Sequence, residues 1–342
     1  MSKNSLIISS TTKRTHEDLK RLQALPLIQK IPLTLRRISQ FYNYYNGEVY
    51  IAFSGGKDST VLAELVWSMY PDVVGVFSNT GLEYPEIVAF VKKKKAEGRN
   101  IEIVRPKKNF KQVIEKYGWA VVSKVQSMAI SRYRNTKDPL QKEYRTTGCK
   151  NGVKIGMAGV ISKKHQYLID APFKISESCC EALKKSPFKV YQKGSGKAPI
   201  IGTMAHESKL RKDGYIKYGC NAFDKKNPMS TPMAFWTEQD VLKYIVDNDV
   251  DYCREIYGEV VERPRTRVEY LLDLKPITYR LTGEQRTGCM WCMFGLEQET
   301  KASGDGTNRF TRMKKSHPKQ YDAVLNKYGG KEVLDYMNLP YE

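Results

Sequence analysis

The residues best suited to chemistry form one short run, Ser54-Gly55-Gly56-Lys57-Asp58-Ser59-Thr60. Two adjacent glycines allow a tight turn and let backbone N–H groups approach a ligand closely. Lys57 adds a point charge, and Ser54, Ser59 and Thr60 add hydroxyl donors. A cradle this short suits a pyrophosphate-sized anion. It is not the G-x-x-x-x-G-K-[ST] nucleotide loop, because the lysine precedes an aspartate and the first glycine is missing.

The second group is sulfur. Cys179-Cys180 and Cys289-Met290-Trp291-Cys292 lie 109 positions apart, counted from Cys180 to Cys289. A C-x-x-C pair brings two thiolates within reach of one metal centre, and two more donors would complete a tetrahedral or cuboidal site. Adjacent cysteines point in different directions, which is awkward for one zinc ion and easier for a 4Fe–4S cube with separate irons. Zinc at the C-x-x-C, or buried structural cysteines beside an unrelated C-x-x-C, are the competing readings. The odd total of seven cysteines argues against a disulfide framework. Cys149 and Cys220 sit in glycine-containing turns and are the better sulfur-carrier candidates; Cys253 has no assigned role.

The elements around these residues alternate. The apolar run Val49 to Phe53 reads as a strand, and Leu62, Leu65, Val66 and Met69 give the following segment a helical stripe. The start of that helix offers unpaired amides and the positive end of its dipole to an anion. Val73 to Ser78, Ile101 to Val104 and Pro199 to Thr203 read as further strands, and Pro85 and Phe110 open helices. Such alternation predicts an α/β fold with a doubly wound parallel sheet and ligands beyond the carboxyl ends of its strands. Thr34 is expected to cap a helix running to Tyr45, and Thr237 another with Asp240. The expected organisation is a helical segment 1–45, a nucleotide-binding domain 46–250 with an insertion or substrate loops at 122–170, and a helical, cluster-associated region 251–342.

Lys plus Arg number 57 against 37 Asp plus Glu, a net charge of +20. This excess favours an anionic partner such as nucleic acid. Arg132, Arg134, Arg263, Arg265, Arg267, Arg280 and Arg286 are interleaved with Tyr133, Tyr270 and Tyr279, whose rings could stack on bases. Lys92 to Lys95 read as a solvated cationic end of a helix. No run of about 18 apolar residues exists, so no membrane span is expected. The first residues do not read as a signal peptide, and a cytoplasmic location is expected.

Ser54 to Ser59 resembles the pyrophosphate loop (PP-loop) of the adenine nucleotide α-hydrolase superfamily. Asn79-Thr80-Gly81-Leu82-Glu83-Tyr84-Pro85-Glu86 resembles the Asp-Thr-Gly-x-x-Phe-Pro-Glu signature of its phosphoadenosine phosphosulfate (PAPS) reductase branch, with Asn79 in place of aspartate. Ile201 to Arg211 is similar to that branch's Gly-x-Arg-x-x-Glu-Ser-x-x-Arg segment, with Met204 in place of the first arginine. The two cysteine pairs resemble the cluster signature of adenylyl-sulfate (APS) reductases and of the DNA phosphorothioation ATP-pyrophosphatase.

The resemblance implies a Rossmann-like PP-loop fold that splits ATP between the α and β phosphates. Ser54 to Thr60, Asn79, Gly81, Glu83, Gly202, Glu207 and Arg211 would bind the nucleotide, with Lys57 and Asp58 as the catalytic pair. Cys179, Cys180, Cys289 and Cys292 would hold a 4Fe–4S cluster, and Mg²⁺ would accompany ATP. The expected function is adenylation of a nucleic acid for sulfur incorporation, as in DNA phosphorothioation or tRNA thiolation. A sulfur donor such as a cysteine desulfurase would be a partner, and a homo-oligomer is left open. The alternatives are a PAPS or APS reductase-like enzyme and a non-catalytic iron–sulfur regulator that binds nucleotide and DNA. Free-standing reductases carry their nucleophilic cysteine in a C-terminal Glu-Cys-Gly-Leu-His tail. Here the last cysteine is Cys292.

Overall fold

The computed structural model describes residues 14–223, 225–263, 267–271 and 277–342, with backbone only at 269 and 270. Arg265 and the Tyr270 ring, both named above as nucleic-acid candidates, lie outside the described residues. The chain folds into two compact units that interleave along the sequence. One takes the residues up to Phe77, Pro85–Val104 and Val190–Arg286; the other takes Ser78–Tyr84, Arg105–Lys189 and Thr287–Glu342.

The first unit is built on a six-stranded sheet. Its strands are β1 (Val49–Ala52), β2 (Gly75–Ser78), β3 (Ile101–Val104), β4 (Ala198–Ile200), β5 (Asn221–Ala222) and β6 (Met229–Ser230). Their spatial order is β3-β2-β1-β4-β6-β5. β1 runs parallel to β2 and β4, β4 is parallel to β6, and β5 closes the edge antiparallel to β6. This is the doubly wound α/β arrangement expected from the alternating pattern. A strand buried on both faces reads as a continuous apolar run, and Val49, Tyr50 and Ile51 are all buried. The strand order reverses between β1 and β4, and ligands bind at such switch points.

The helices of this unit include α1 (Leu27–Tyr44), α2 (Lys57–Trp67), α3 (Pro85–Ala96), α4 (Lys209–Tyr218) and α5 (Glu238–Asp247). α2 buries Leu62, Leu65 and Val66 of the expected stripe, whereas Met69 lies past its end at Trp67 and is half-buried. α5 starts with the expected capping box, in which Thr237 accepts from Asp240 N and Asp240 Oδ2 accepts from Thr237 N. Thr34 corrects its expectation. It lies fully buried inside α1, donating to Lys30 O at 2.9 Å and accepting from Trp236 Nε1 at 2.8 Å. α1 starts earlier, just after Pro26. The lysine run also differs from a solvated one: Lys94 is buried, and Lys93 and Lys94 both reach Asp251, at 3.0 and 2.8 Å.

In the second unit, residues 124–135 and 139–147 are helical rather than loop. Lys124–Asn135 is capped by Ser123, and Pro139–Thr147 by Asp138, with Gly148 ending it at φ +81°. The caps were present in the sequence, but the apolar stripe was too thin to announce a helix. Only Ser127, Ala129 and Ile130 are buried in the first helix and none in the second. A hairpin follows, Cys149–Lys150 against Val153–Lys154. Arg134 is not available as a phosphate contact, since its guanidinium donates to the carbonyls of Ile169, Ala171 and Phe173. Among the described residues no helix is long and apolar enough to cross a membrane.

Candidate functional site

β1 ends in Phe53, and the chain turns through Ser54-Gly55-Gly56 into α2. Gly55 has φ +69°, and a Cβ there would meet Val91 Cγ2 at 2.8 Å and Ile87 Cγ2 at 3.0 Å. Backbone conformation and the packing of α3 therefore both require glycine. The turn is tied by its own hydroxyls: Ser54 N donates to Ser59 Oγ at 3.1 Å, and Ser59 Oγ donates to Gly56 O at 2.9 Å. Thr60 Oγ1 donates to the same carbonyl at 3.1 Å. Gly56 caps α2 with no side-chain hydrogen bond. The N-cap residue thus supplies no capping oxygen, and apart from the Tyr257 hydroxyl on Lys57 N the helix start suits a bound anion.

Lys57 is 3% exposed, unusual for a lysine, and its ammonium is enclosed by groups of the same unit. Nζ donates to Gln285 O at 3.2 Å and lies 3.5 Å from Asp58 Oδ1 and 3.3 Å from Glu238 Oε1. The Tyr257 ring centre is 5.7 Å away, and the Tyr257 hydroxyl accepts from Lys57 N at 3.3 Å. Asp58 is the strained partner. Burial pushes its carboxyl above the ordinary range, Lys57 opposes that, and the charges of Glu207 and Glu238 add to it. Asp58 Oδ1 is buried and accepts no hydrogen bond from the described residues.

The loop after β4 comes up against this turn. A Cβ on Gly202 would meet Asp58 O at 3.0 Å and Ser59 Cα at 3.3 Å, so glycine permits the approach. Glu207 accepts from Met204 N at 2.8 Å and forms an ion pair with Arg211. The first unit thus brings Ser54 to Thr60 together with Gly202, Glu207 and Arg211. Pattern reading did not reach Tyr257, Glu238 and Gln285 as neighbours of Lys57, although Thr237-Glu238 was legible as a helix start.

Asn79, Gly81 and Glu83 belong to the second unit and form a self-closed turn. Asn79 Oδ1 accepts from Gly81 N at 3.0 Å, and Glu83 accepts from Thr80 N and Thr80 Oγ1 at 2.8 Å. Nearby are the four cysteines. Cys179 and Cys180 lie on a short helical turn that continues into a π-helical turn at Glu181–Lys185. Cys289 and Cys292 form the other turn, where Cys292 N donates to Cys289 O at 3.1 Å and Met290 N to Leu82 O at 2.8 Å. Burial raises the Cys179 thiol, and Cys289, Cys180 and Cys292 raise it further. Cys180 and Cys289 are raised as well, mainly by burial.

Lys184 sits among these thiols. Burial disfavours its charge, but Cys289, Glu83, Cys180 and Cys292 prevail and hold its pKa above the ordinary value. Lys184 was missed in the sequence, although a position four after Cys180 falls on the same helical face. Among the described residues no group of three or more His, Cys, Asp or Glu could hold a metal ion.

The phosphoadenosine phosphosulfate reductase domain matches residues 48–263, well over half of the chain. An uncharacterized protein of Methanocaldococcus jannaschii is 25% identical over 310 residues, covering 86% of this chain. The chain spans about half the length of that relative, 53%. The crystal structure of a phosphoadenylyl-sulfate (PAPS) reductase from Candida auris, in a phosphate complex, aligns at 15% identity with a TM-score of 0.37 over 78% of this chain and 96% of that one. With the glycine turn, the switch-point sheet and a domain match over residues 48–263, the chain belongs to the phosphoadenosine phosphosulfate reductase family.

Proposed function

We propose that this chain binds ATP at the Ser54–Thr60 turn and adenylates an oxygen of a nucleic acid, preparing it for sulfur incorporation. The observation that carries this reading is the glycine turn into α2, whose N-cap residue Gly56 brings no side-chain oxygen and whose first residue carries a buried ammonium. Gly55, Gly56, Lys57 and Ser59 would hold the β and γ phosphates through backbone amides, charge and hydroxyl. An acceptor oxygen would attack the α phosphorus. A new O–P bond forms, the bond to the β phosphate breaks, and pyrophosphate leaves with its electron pair while the acceptor proton passes to water. The buried Asp58 Oδ1, which faces the Lys57 ammonium at 3.5 Å and makes no closer contact with a donor, fits a magnesium ion carried in with ATP or one of its waters. That ion supplies charge neutralisation when bound.

A cluster at the second site is inferred from the types of its donors, since the described side chains form no ready-made metal-holding group. A cube takes one thiolate per iron, which four cysteines on two turns of one unit could supply, with the half-buried Lys184 as a balancing cation. Cys179, Cys180, Cys289 and Cys292 would hold a 4Fe–4S cluster, which supplies redox-active iron and inorganic sulfide when bound. A cysteine desulfurase would be the sulfur donor.

The test is ATP-to-AMP conversion over a panel of DNA, tRNA and small-molecule acceptors, with Lys57→Met beside the wild type. The expected result is acceptor-dependent pyrophosphate release that falls at least about a hundredfold in Lys57→Met, with circular dichroism unchanged. Equal release by both proteins overturns the cradle. Binding of ATP and DNA with no release points instead to the regulator.

The family match supports a second reading, a sulfonucleotide reductase, equally well. That chemistry needs an accessible thiol. Burial pushes Cys220 up to about 11 and Cys253 up to about 12, whereas Cys149 is partly exposed in its hairpin. Sulfite release from labelled PAPS, lost in Cys149→Ser, would establish this second reading.

A further inference from the structure

A cavity of about 200 Å³ opens in the first unit beside α4, β5 and β6. Tyr215, Tyr218, Met204, Met229 and Cys220 wall it. Lys225 adds charge to its lining, Arg211 lines it while ion-paired with Glu207, and Leu210, also in the lining, is 74% exposed. Two cations attend one of the aromatic walls: Lys225 Nζ lies 4.3 Å and Lys217 Nζ 5.0 Å from the centre of the Tyr218 ring. Burial pushes the Cys220 thiol up to about 11, and its side chain forms part of the wall.

Gly214 gives the cavity its meaning. It lies inside α4, where glycine costs roughly 1 kcal/mol relative to alanine. Its φ is not positive, and a Cβ there would meet nothing within 4 Å. Neither backbone conformation nor crowding asks for glycine at this position. What its missing side chain leaves is space in the cavity it lines.

An apolar cavity of about 150 Å³ accepts a benzene-sized ring. This one is larger, has aromatic walls and carries cations, a combination that suits a planar base attached to a phosphate. We propose that the cavity receives one nucleobase, with Arg211 and Lys225 meeting the phosphate of the same nucleotide unit. The Thr203–Ala205 loop that forms part of it continues into the Glu207–Arg211 segment of the candidate site. That the base belongs to the acceptor polynucleotide rests on the Proposed function; that a base fits does not.

The test is NMR of protein labelled with ¹³C at the methionine methyl groups, without ATP. The probes are AMP, a short single-stranded oligonucleotide and its abasic counterpart. The expected result is a ring-current shift of the Met204 and Met229 methyl signals that the abasic strand does not produce. Gly214→Leu fills the cavity and should abolish the shift and weaken binding about tenfold, the loss of one stacked base, without lowering Tm. Tyr218→Ala, at a half-buried position, provides a second variant with the same expected loss. A shift with the oligonucleotide alone upholds the proposal with a polynucleotide as source, and a shift with AMP upholds it with a mononucleotide. No shift with either, or an equal shift with the abasic strand, overturns it. ATP cleavage plays no part here, so failure leaves the Lys57→Met test standing.

Discussion

Lys57 is shared between two carboxylates, Asp58 at 3.5 Å and Glu238 at 3.3 Å. A ligand at the turn must compete with both, which favours a multiply charged triphosphate tail over a monophosphate. The turn itself tolerates little change. Gly202→Ala would place a methyl group 3.0 Å from Asp58 O, and that neighbour is backbone, which cannot swing aside. The expected outcome is an ATP KM raised about tenfold and stability lowered by roughly 1–3 kcal/mol, read from pyrophosphate release and thermal unfolding. An unchanged KM would show that the β4 loop does not shape the cradle. The glycines and Lys57 were legible in the sequence because a turn between strand and helix is a local matter. The company Lys57 keeps was not, because Glu238, Tyr257 and Gln285 come from distant parts of the chain.

At the scale of elements, α3 shows how a charge run acquires a structural role. Its last turn carries Lys93 and Lys94, and both reach Asp251, next to the end of α5. Burial raises the Asp251 carboxyl, but the hydrogen bonds from Lys94 and Lys93 prevail and hold it below its ordinary 3.8. A depressed carboxylate contributes stability that is fully present above its ordinary pKa and is lost as pH falls through the lowered one. Asp251→Asn should therefore lower stability at pH 7, read as a fall in Tm, by about 1 kcal/mol for a half-exposed carboxylate that faces one exposed and one buried lysine. The deficit should vanish in acid below the lowered pKa. Thermal melts of the two proteins across that range check it, and an equal deficit at every pH would contradict the ion pair. The strands and α2 were readable from period and glycine. The helices Lys124–Asn135 and Pro139–Thr147 were not, since so little of either is buried.

At the scale of the whole molecule, the chain returns to the Cys179-Cys180 turn only after 109 positions, at Cys289. Closing such a loop costs on the order of 4 kcal/mol of chain entropy, which strong iron–thiolate bonds would offset. Cys289→Ser should therefore lose iron and acid-labile sulfide on anaerobic purification and unfold at a lower temperature. Wild-type protein free of iron under the same conditions would remove the cluster from the reading. The sequence by itself determined the glycine turn, the strand–helix alternation and the family, because each is written in residues a few positions apart. Only the tertiary structure decided what faces what: Arg134 spent on carbonyls, Lys184 among the thiols, Lys57 between carboxylates, and a cavity beside Gly214. Those pairings depend on packing summed over whole units, and no local spacing in the chain encodes that sum.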